Sequence, residues 1–480
     1  MASSYDIQRN VGSKSRCNKS NLNMRLIIKS FSIKKLFGYK DVWMEFTDSY
    51  KIIVGENGTG KTTILNCLYY ILQKDFNQLK NIKFESISLE YTTPQKRWSS
   101  IFSFTYDELI AFTNNRSFGE TQLFRILSSN IKDKKANELR KIIYSKEIHE
   151  SDKIEMIQEE INKLGLNFKT PSSYIYQNVK RLIDEYISIE FRHKVEEFGR
   201  LLNTNLIYFP TYRRVESSNM GIEYLTKRLT ERYHLMDEEM IKDALNSAQM
   251  QFGMKDVESS IEKLIDEIKE RTYSGFSSIL GSLLSYELRD SGEETRQYRF
   301  VGKKIDIILE RLGNQISSAD KNMIIEYSRS SNLNKPSLNY LIGKLIKLYE
   351  DLEVYDEAIK GFRDICNTYL INKRFVYDES LPELYIESDN MGERLNLECL
   401  SSGEKQIISL FSKIFLVVNK KFFILIDEPE LSLSIPWQDH LLSDVIRSEK
   451  CEFLLAVTHS PFIYRGDLER YTSSISDYVR

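Results

Sequence analysis

The chain has 480 residues, of which 41% are hydrophobic, 28% charged and 12% aromatic. These proportions are typical of a folded globular protein and exclude a disordered or fibrous one. The length suffices for about two or three domains, or for one domain with a large insertion. A formal net charge of −2 excludes a global positive field that would attract nucleic acid, although it leaves room for local basic patches.

Cysteines and apolar runs indicate the compartment. The five cysteines are scattered without a CxxC pair, so the sequence suggests neither a disulfide framework nor a zinc site, and a reducing cytoplasm fits best. No apolar run reaches the length of a membrane span, so we expect no membrane partner. Residues 1–23 are polar and lack the apolar stretch of a secretion signal; we expect a flexible tail, with Met24 as an alternative start.

The first predicted elements are strands. "MRLIIKSFSI" (24–33), "DVWMEF" (41–46) and "YKIIV" (50–54) are rich in β-branched and aromatic residues. The third run leads into a glycine-rich loop, "GENGTGKTT", and then into apolar residues at helical spacing. "NIKFESISLEYT" and "SSIFSFTY" are interpreted as further strands, which suggests a mixed sheet over this strand, loop and helix.

Helical patterns dominate the middle of the chain, from about 119 to 200 and from 217 to 372. Neither segment sustains a heptad repeat over the length of a coiled-coil arm, so we expect a compact helical subdomain. Between them, "NLIYFPTYRRVE" (205–216) resembles a strand.

Strand patterns return after residue 372. "KFFILIDEPE" and "CEFLLAVTHS" are short, continuously apolar runs of the type found in buried parallel strands. The sequence therefore predicts an α/β fold in which a head formed by 24–118 and 373–480 carries a mostly helical insertion, 119–372.

The glycine-rich loop matches the pattern G-x-x-x-x-G-K-[ST]. Backbone N–H groups of such a loop surround a phosphate chain, the lysine reaches the terminal phosphates and the hydroxyl binds Mg²⁺. The strand, loop and helix context favours this interpretation over a chance glycine-rich turn. The predicted phosphate-binding residues are Gly55, Asn57, Gly58, Gly60, Lys61, Thr62 and Thr63.

An acidic pair, Asp427 and Glu428, follows the apolar run "FFILI". Ligands of open α/β sheets collect at the carboxyl ends of such strands. We therefore predict that Asp427 holds Mg²⁺ together with Thr62, and that Glu428 orients or deprotonates an attacking water. An acidic pair alone is as often a strand end or a helix cap, but the lysine loop in the same chain favours the functional interpretation.

A Ser-Ser-Gly turn opens the apolar helix predicted in "LSSGEKQIISLFSKIFLVV" (400–418). The free N–H groups of such a helix start can hold phosphate. By itself the turn is better explained as an ordinary N-cap, with Ser401 or Ser402 capping and Glu404 in the first turn. The order of the motifs, which ends in "THS" with His459, favours a phosphate-binding role for Ser401, Ser402 and Gly403.

Together these motifs resemble those of the ABC-type ATPase heads, which include transporter motor subunits, SMC proteins and the overcoming-lysogenisation-defect nucleases. "GENGTGKTT" is similar to their Walker A motif, "LSSGEKQ" to their signature, "LIDEPE" to their Walker B, "ELSLSIPWQ" to their D-loop and "VTHSP" to their switch histidine. The resemblance covers residues 24 to about 93 and 375 to 462.

This resemblance implies an ATPase that uses ATP and Mg²⁺ and forms a head-to-tail homodimer. Ser401 and Gly403 would act on the nucleotide held by the other subunit, whereas His459 would contact the γ-phosphate in its own subunit. Lys61, Glu428 and His459 would be the catalytic residues.

Some positions depart from the family pattern or stay open. Glu404 replaces the glutamine usual in transporters, and Ser434 stands where related defence ATPases often carry histidine. Gln95 lies in the region of the Q-loop, but a glutamine in a polar loop is more often only solvated.

Two aromatic positions have alternative roles. Phe37 or Tyr39 would stack on adenine or pack the loop, with packing favoured. The cluster Tyr212, Arg213 and Arg214 is equally compatible with local salt bridges and with phosphate binding.

The large insertion disfavours a transporter. The motifs look most like those of stand-alone ATPases of bacterial anti-phage systems, the PARIS ATPase subunit first and the Septu ATPase second. No TOPRIM nuclease domain follows His459, and the insertion carries no HNH-like or acidic nuclease cluster. The resemblance thus implies an ATP-dependent sensor or scaffold with slow hydrolysis, which forms dimers or higher homo-oligomers. It would control a separate nuclease or toxin, such as a TOPRIM protein, and respond to a phage-encoded trigger.

A DNA-repair or recombination ATPase of the RecF or SMC type is the alternative function. Its closed dimer would clamp DNA, and the purified chain would then bind DNA in a salt-sensitive manner. A scaffold with a dead ATPase site is disfavoured because all the motif residues are present. We also expect the residues after Tyr464 to form a surface for neighbouring subunits or an effector.

Overall fold

The computed structural model describes residues 26–93, 98–114, 121–145, 147–202, 204–211, 254–288, 302–330, 334–390 and 392–479. Its strands are β1 (Ile27–Leu36), β2 (Lys40–Glu45), β3 (Tyr50–Val54), β4 (Ser86–Thr92), β5 (Ser100–Thr105), β6 (Asn205–Phe209), β7 (Lys373–Asp378), β8 (Glu383–Ser388), β9 (Arg394–Leu395), β10 (Phe422–Asp427), β11 (Cys451–Thr458) and β12 (Thr472–Ser474). Its α-helices are α1 (Lys61–Gln73), α2 (Phe76–Leu79), α3 (Tyr106–Thr113), α4 (Gln122–Asn130), α5 (Asp133–Ile143), α6 (Glu150–Lys163), α7 (Ser172–Leu201), α8 (Lys255–Leu288), α9 (Gly302–Arg311), α10 (Ser318–Arg329), α11 (Pro336–Asn367), α12 (Ser402–Phe415) and α13 (Ile435–Arg447). The predicted α/β fold class is confirmed. Within the described residues, no helix has the length and apolar character needed to cross a membrane.

An antiparallel sheet with the strand order β2-β1-β4-β5 forms one layer of the fold. Along β4, buried residues alternate with more accessible ones because successive side chains of a strand point to opposite faces. Phe31 and Ile33 of β1 are fully buried, and Phe102 and Phe104 of β5 lie in the same core. The predicted strands near 24–33 and 41–46 are confirmed, with ends shifted by a few residues.

A parallel sheet with the order β12-β3-β11-β10-β6 forms the second layer. Every neighbouring pair in it is parallel, and all residues of β10 are buried because strands flank it on both sides and helices cover both faces. β6 comes from the middle of the chain, yet it pairs directly with β10. The carboxyl ends of β3, β11, β10 and β6 therefore lie at one edge of the sheet. A small antiparallel sheet, β7-β8-β9, stands beside these layers.

The two faces of the parallel sheet pack against different helices. Ile424 and Ile426 of β10 share a core with the apolar residues of α12, including Ile407 and Phe411. Leu425, which points the other way, shares a core with α1 and the antiparallel sheet. Since α1 follows the glycine-rich loop and α12 follows the Ser-Ser-Gly turn, these two motifs lead into opposite faces of one sheet.

The first helical group joins the head through α7, a helix of 30 residues. Near its carboxyl end, Phe191 and Phe198 pack in the core of the antiparallel sheet, where Phe198 stacks on Phe102. Its amino-terminal half, from Ile175 to Ile187, forms a separate core with α4, α5 and α6. One helix thus contributes to two cores.

The second helical group joins the opposite face through α8 and α11, of 34 and 32 residues. Val257 to Ile268 of α8 and Ala358 to Cys366 of α11 pack in the core that includes α12. Their other halves form a further core with α9 and α10. The expected compact helical subdomain is therefore replaced by two helical groups, each with its own core, because separate faces of the head anchor them.

A buried ion pair joins α9, α11 and β7. Arg311 donates to Asp356 over 2.7 Å, and the two side chains are 1% and 0% exposed. Tyr377 donates to the same carboxylate oxygen over 2.5 Å, and the Arg311 Nε donates to the carbonyl of Glu379. Burial raises the pKa of Asp356, an effect that the neighbouring guanidinium opposes.

The residues near the end of the described chain complete the parallel sheet. β12 pairs with β3, Ile475 is buried in the core shared with α1, and the carbonyl of Tyr478 accepts the N–H of Trp43 over 2.9 Å. From the sequence alone we expect only a surface for partners in this segment. A β-carbon placed on Gly55 would lie 2.4 Å from Cγ2 of Ile475, so these residues also constrain the start of the glycine-rich loop.

We predict that Arg311→Met destabilises the protein by about 3 kcal/mol or more, because it leaves Asp356 buried without its counter-charge. The matched control is Arg329→Met, which breaks the exposed pair between Arg329 and Asp306 and should cost about 1 kcal/mol or less. Urea unfolding followed by circular dichroism measures both. Equal losses in the two variants would contradict the importance of the buried pair.

We predict that Gly55→Ala lowers the free energy of unfolding by about 1–3 kcal/mol, because the new β-carbon clashes with Ile475. Urea unfolding without nucleotide measures this loss. Ile475→Ala should suppress part of this loss, because it removes the Cγ2 atom. Gly58→Ala is the control: its β-carbon would meet no atom within 4 Å, but its φ of +79° strains any side chain. The stability lost in Gly58→Ala should be the same with and without Ile475→Ala. If Ile475→Ala suppressed the losses of Gly58→Ala and Gly55→Ala equally, the clash would be refuted.

Candidate nucleotide-binding site

The glycine-rich loop connects β3 to α1 at the carboxyl edge of the parallel sheet. Gly58 and Gly60 have φ values of +79° and +98°, which glycine adopts without the strain of a β-carbon. Gly60 is the N-cap of α1 and offers no side-chain cap, so the first N–H groups of the helix, including those of Thr62 and Thr63, keep their donor capacity for a ligand. This end of α1 suits an anion.

Lys61 lies inside the loop. Its side chain is buried, and its Nζ donates to the carbonyls of Gly55 and Glu56 over 2.7 and 2.8 Å. The ammonium group is therefore held by the loop's own backbone at the position where a phosphate chain would lie. Phosphate oxygens can replace these neutral acceptors and would bind the ammonium more strongly.

Thr62 and Asp427 meet at the sheet edge although they are 365 residues apart in sequence. The Thr62 hydroxyl donates to Oδ1 of Asp427 over 3.1 Å. Asp427 is the last residue of β10 and only 2% exposed. A carboxylate and a hydroxyl side by side match the oxygen ligands that Mg²⁺ takes, with phosphate and water as its usual further ligands. The described residues hold no cluster of three His, Cys, Asp or Glu side chains that could bind a metal by themselves.

Thr211 is a site residue that the sequence analysis missed. Its hydroxyl donates to Oδ2 of Asp427 over 2.6 Å, so both carboxylate oxygens are oriented by threonine hydroxyls. The register of β6 against β10, with Phe209 opposite Ile426, brings Thr211 to this place. A polar residue just after a strand-like apolar run was the available signal. The cluster Tyr212, Arg213 and Arg214 lies outside the described residues, as does Gln95.

β6 also holds α1 from the side. The Tyr208 hydroxyl donates to Oδ1 of Asn66 over 2.6 Å, and its ring lies 4.5 Å from that of Tyr69. Burial and, to a smaller degree, the charge of Asp427 raise the pKa of Tyr208, so its hydroxyl stays protonated as a donor. The strand from the middle of the chain thereby fixes the helix that follows the glycine-rich loop.

Glu428 has a strained backbone. Its φ is +50°, unusual for a residue other than glycine, and its N–H donates to the carbonyl of Val457 over 2.8 Å. Such conformations cost on the order of 1–3 kcal/mol and cluster at functional sites. The carboxylate is 20% exposed, and its Oε1 lies 3.9 Å from Nδ1 of His459. The structure thus brings the predicted base and the predicted histidine together.

His459 follows the carboxyl end of β11, and its side chain is 43% exposed. Its Nδ1 lies 3.1 Å from Oε1 of Glu430, a residue to which the sequence analysis assigned no role. The same oxygen accepts the backbone N–H groups of His459 and Ser460. A third acidic residue in the run "DEPE" was the only sequence signal for Glu430.

Ser401 is the N-cap of α12 in a complete capping box. Its hydroxyl accepts the N–H of Glu404, while the Glu404 carboxylate accepts the N–H and the hydroxyl of Ser401. Lys373 donates to that carboxylate over 3.1 Å. The N-cap interpretation is therefore confirmed, and Ser401 and Ser402 remain exposed at a helix start that can also receive an anion.

Gly403 packs tightly against the loop after Glu430. A β-carbon on Gly403 would lie 2.6 Å from the carbonyl oxygen of Ser432 and 3.2 Å from the Trp437 ring, so only glycine fits. Lys61, Thr62, Asp427, Glu428 and His459 converge at one edge, whereas the described hydrogen bonds link none of them to Ser401, Ser402 or Gly403.

The turn between β1 and β2 lies beside the glycine-rich loop. Lys40 donates to the carbonyl of Thr59 over 3.1 Å, and the Phe37 ring lies 3.4 Å from the position of a β-carbon on Gly60. Phe37 and Tyr39 are 42% and 69% exposed. Phe37 packs against the loop, and neither ring is buried in the core.

Comparisons with known proteins were made on this basis. A search of the curated proteins found no match. Among solved structures, the chain is similar to the Smc head domain with an extended coiled coil bound to the C-terminal domain of ScpA from Pyrococcus furiosus, at 15% identity and a TM-score of 0.31, covering 92% of this chain and 91% of that one. It is also similar to an SmcHead bound to the C-winged helix domain of ScpA, at 11% identity and a TM-score of 0.31, covering 91% and 90%.

A protein-family model described as an AAA ATPase domain matches residues 26–464, which is most of the chain. Its span includes the glycine-rich loop, both helical groups, the acidic strand and His459. The chain therefore belongs to the AAA ATPase domain family.

Proposed function

We propose that this chain binds and hydrolyses ATP with Mg²⁺ and that two copies assemble head to tail around the nucleotide. The observation that carries the proposal is the bond between Thr62 and Asp427 at the carboxyl edge of the parallel sheet. This bond supports the proposal because it joins the helix after the glycine-rich loop to the acidic strand end beside Glu428, and phosphoanhydride hydrolysis requires phosphate-binding, cation-binding and basic groups close together.

Each residue has a chemical role in this proposal. The loop N–H groups and Lys61 would bind the phosphates, and Thr62 and Asp427 would hold Mg²⁺, which would neutralise developing negative charge. Thr211 orients Asp427. Glu428 accepts a proton from the attacking water. His459, on the neighbouring strand, contacts the γ-phosphate.

The arrangement of the cores supports a composite site. α1 and α12 pack on opposite faces of the parallel sheet. The exposed helix start at Ser401 and Ser402 therefore suits contact with the glycine-rich loop of another copy better than contact with its own. A second copy placed head to tail would bring its Ser401, Ser402 and Gly403 to this chain's phosphates. Such an interface is self-complementary and closes as a dimer.

The finer role that we propose is that of a sensor or scaffold subunit of an anti-phage defence system, controlling a separate nuclease or toxin. This role is supported by the motif resemblance to the PARIS and Septu ATPases. In it, the chain would control an effector such as a TOPRIM protein and respond to a phage-encoded trigger. Co-purification with the product of the neighbouring gene tests this role. Salt-sensitive DNA binding by the chain alone would instead favour the RecF or SMC-like clamp.

We predict that Glu428→Gln retains ATP binding but lowers turnover by about a hundredfold or more, because it removes the base and leaves the phosphate contacts in place. The ATP-bound dimer should then accumulate. Lys61→Ala should lose ATP binding and dimerisation together. Native mass spectrometry with ATP and steady-state phosphate release measure these outcomes, and unchanged mass and turnover in both variants would refute the mechanism.

We predict that mixing Lys61→Ala with Ser401→Ala chains restores activity that neither has alone. In a mixed dimer one site combines the intact loop of one chain with the intact Ser401 of the other. Each mixed dimer has one intact site of two, and the ATP bound there holds the Lys61→Ala chain in the pair, so turnover should recover to at most about half of the wild-type value. If Ser401 acts within its own chain, mixing restores nothing.

A further inference from the structure

We propose that Glu430 is a positioning residue that holds His459 in the ring orientation needed at the nucleotide, an inference that rests on the proposed ATPase function. Glu430 lies two residues after Glu428 and would not touch the nucleotide itself. Its carboxylate acts through the histidine and through the backbone that carries the histidine.

The Glu430 carboxylate has an unusual environment. Its side chain is 5% exposed, and Oε1 accepts the N–H of His459 over 2.9 Å and the N–H of Ser460 over 3.1 Å. These two bonds fix the turn that follows β11. Burying a carboxylate costs free energy, and two backbone donors offset that cost.

The third contact of Oε1 selects the state of the histidine ring. Nδ1 of His459 lies 3.1 Å from Oε1, whereas the Glu428 oxygen, at 3.9 Å, is too far for a hydrogen bond. A carboxylate oxygen at this distance favours the ring states that carry a proton on Nδ1. With Nδ1 beside Oε1, Nε2 is the nitrogen left to accept a hydrogen bond from a water or, when the ring is doubly protonated, to donate one to a phosphate oxygen.

The second oxygen of Glu430 argues against a purely stabilising role. Oε2 is buried and has no hydrogen-bond partner among the described residues. An unsatisfied buried acceptor lowers the free energy of unfolding. If Glu430 served stability alone, a neutral residue of the same shape would serve about as well. Within the described residues, the polar contacts of the Glu430 carboxylate are therefore all made by Oε1, at the turn and the ring of His459.

Glu430 also lies at the start of the loop that touches Gly403. The Gln438 side chain donates to the carbonyl of Leu433 over 2.9 Å and accepts the Ser460 hydroxyl over 2.7 Å. The loop between Glu430 and Ser434, which packs on Gly403, is thus bonded to the turn that carries His459. A change at the Ser401 helix start in the dimer would reach the histidine through this loop.

The test is Glu430→Gln, which keeps the shape and an acceptor for the two backbone N–H groups but removes the charge. We expect turnover to fall roughly tenfold or more, the effect of losing one charged contact to the ring, with KM and nucleotide affinity within about twofold of wild type. In a His459→Ala background, Glu430→Gln should cause no further loss. Glu449→Gln, an exposed carboxylate at the amino end of β11, is the charge-matched control and should be neutral.

Two outcomes would overturn the proposal: losses from Glu430→Gln and His459→Ala that multiply in the double variant, or a Glu430→Gln chain with wild-type turnover. A readout without ATP separates this failure from failure of the ATPase function. Nitrogen-15 NMR of imidazole-labelled protein, with the His459 signal assigned from its loss in His459→Ala, should show a protonated Nδ1 that becomes less populated in Glu430→Gln. A bare Nδ1 in the wild type would refute the positioning role even if the chain hydrolyses ATP.

Discussion

The parallel pairing of β10 with β11 on one side and β6 on the other is the constraint on which the site depends. Parallel neighbours bring their carboxyl ends to one edge, and here that edge collects the ends of segments distant in sequence. Because β10 is buried along its whole length, Asp427 is delivered to the edge with little freedom. The Thr62 and Thr211 hydroxyls then orient both of its oxygens.

The same sheet separates the starts of α1 and α12. Alternate residues of β10 enter different cores, so α1 and α12 are held on opposite faces by the two-residue period of a strand. The helical groups extend this division, since α7 enters one core and α8 and α11 enter the other. Each helical group is therefore anchored to a different face of the sheet.

Strain and buried charge are concentrated between Asp427 and Ser434. Glu428 and Ser432 have left-handed backbones, Glu430 is buried, and Gly403 leaves no space beside the Ser432 carbonyl. These features oppose stability, and the surrounding bonds to Val457, His459 and Ser460 hold them in place. A segment of this kind has few alternative conformations.

Much of this could be predicted from the sequence. The pattern from Gly55 to Thr62, the apolar strand before Asp427 and the strands near 27 and 50 are local signals, because loop geometry and strand burial are set by neighbouring residues. The N-cap at Ser401 was also readable, since a capping box spans only four residues. The helical segments were predicted, but their division into two cores was not, because each long helix carries apolar residues along its whole length and does not reveal which partner covers them.

The sequence by itself determined which polar groups are available: a glycine-rich loop with a lysine, a hydroxyl, two carboxylates and a histidine. Only the tertiary structure decided that Thr211 and Glu430 belong with them and that β12 closes the sheet beside Gly55. The reason is physical. Motif residues announce themselves through local backbone geometry, whereas Thr211 and Glu430 act through contacts that form when strands far apart in the chain are placed in register.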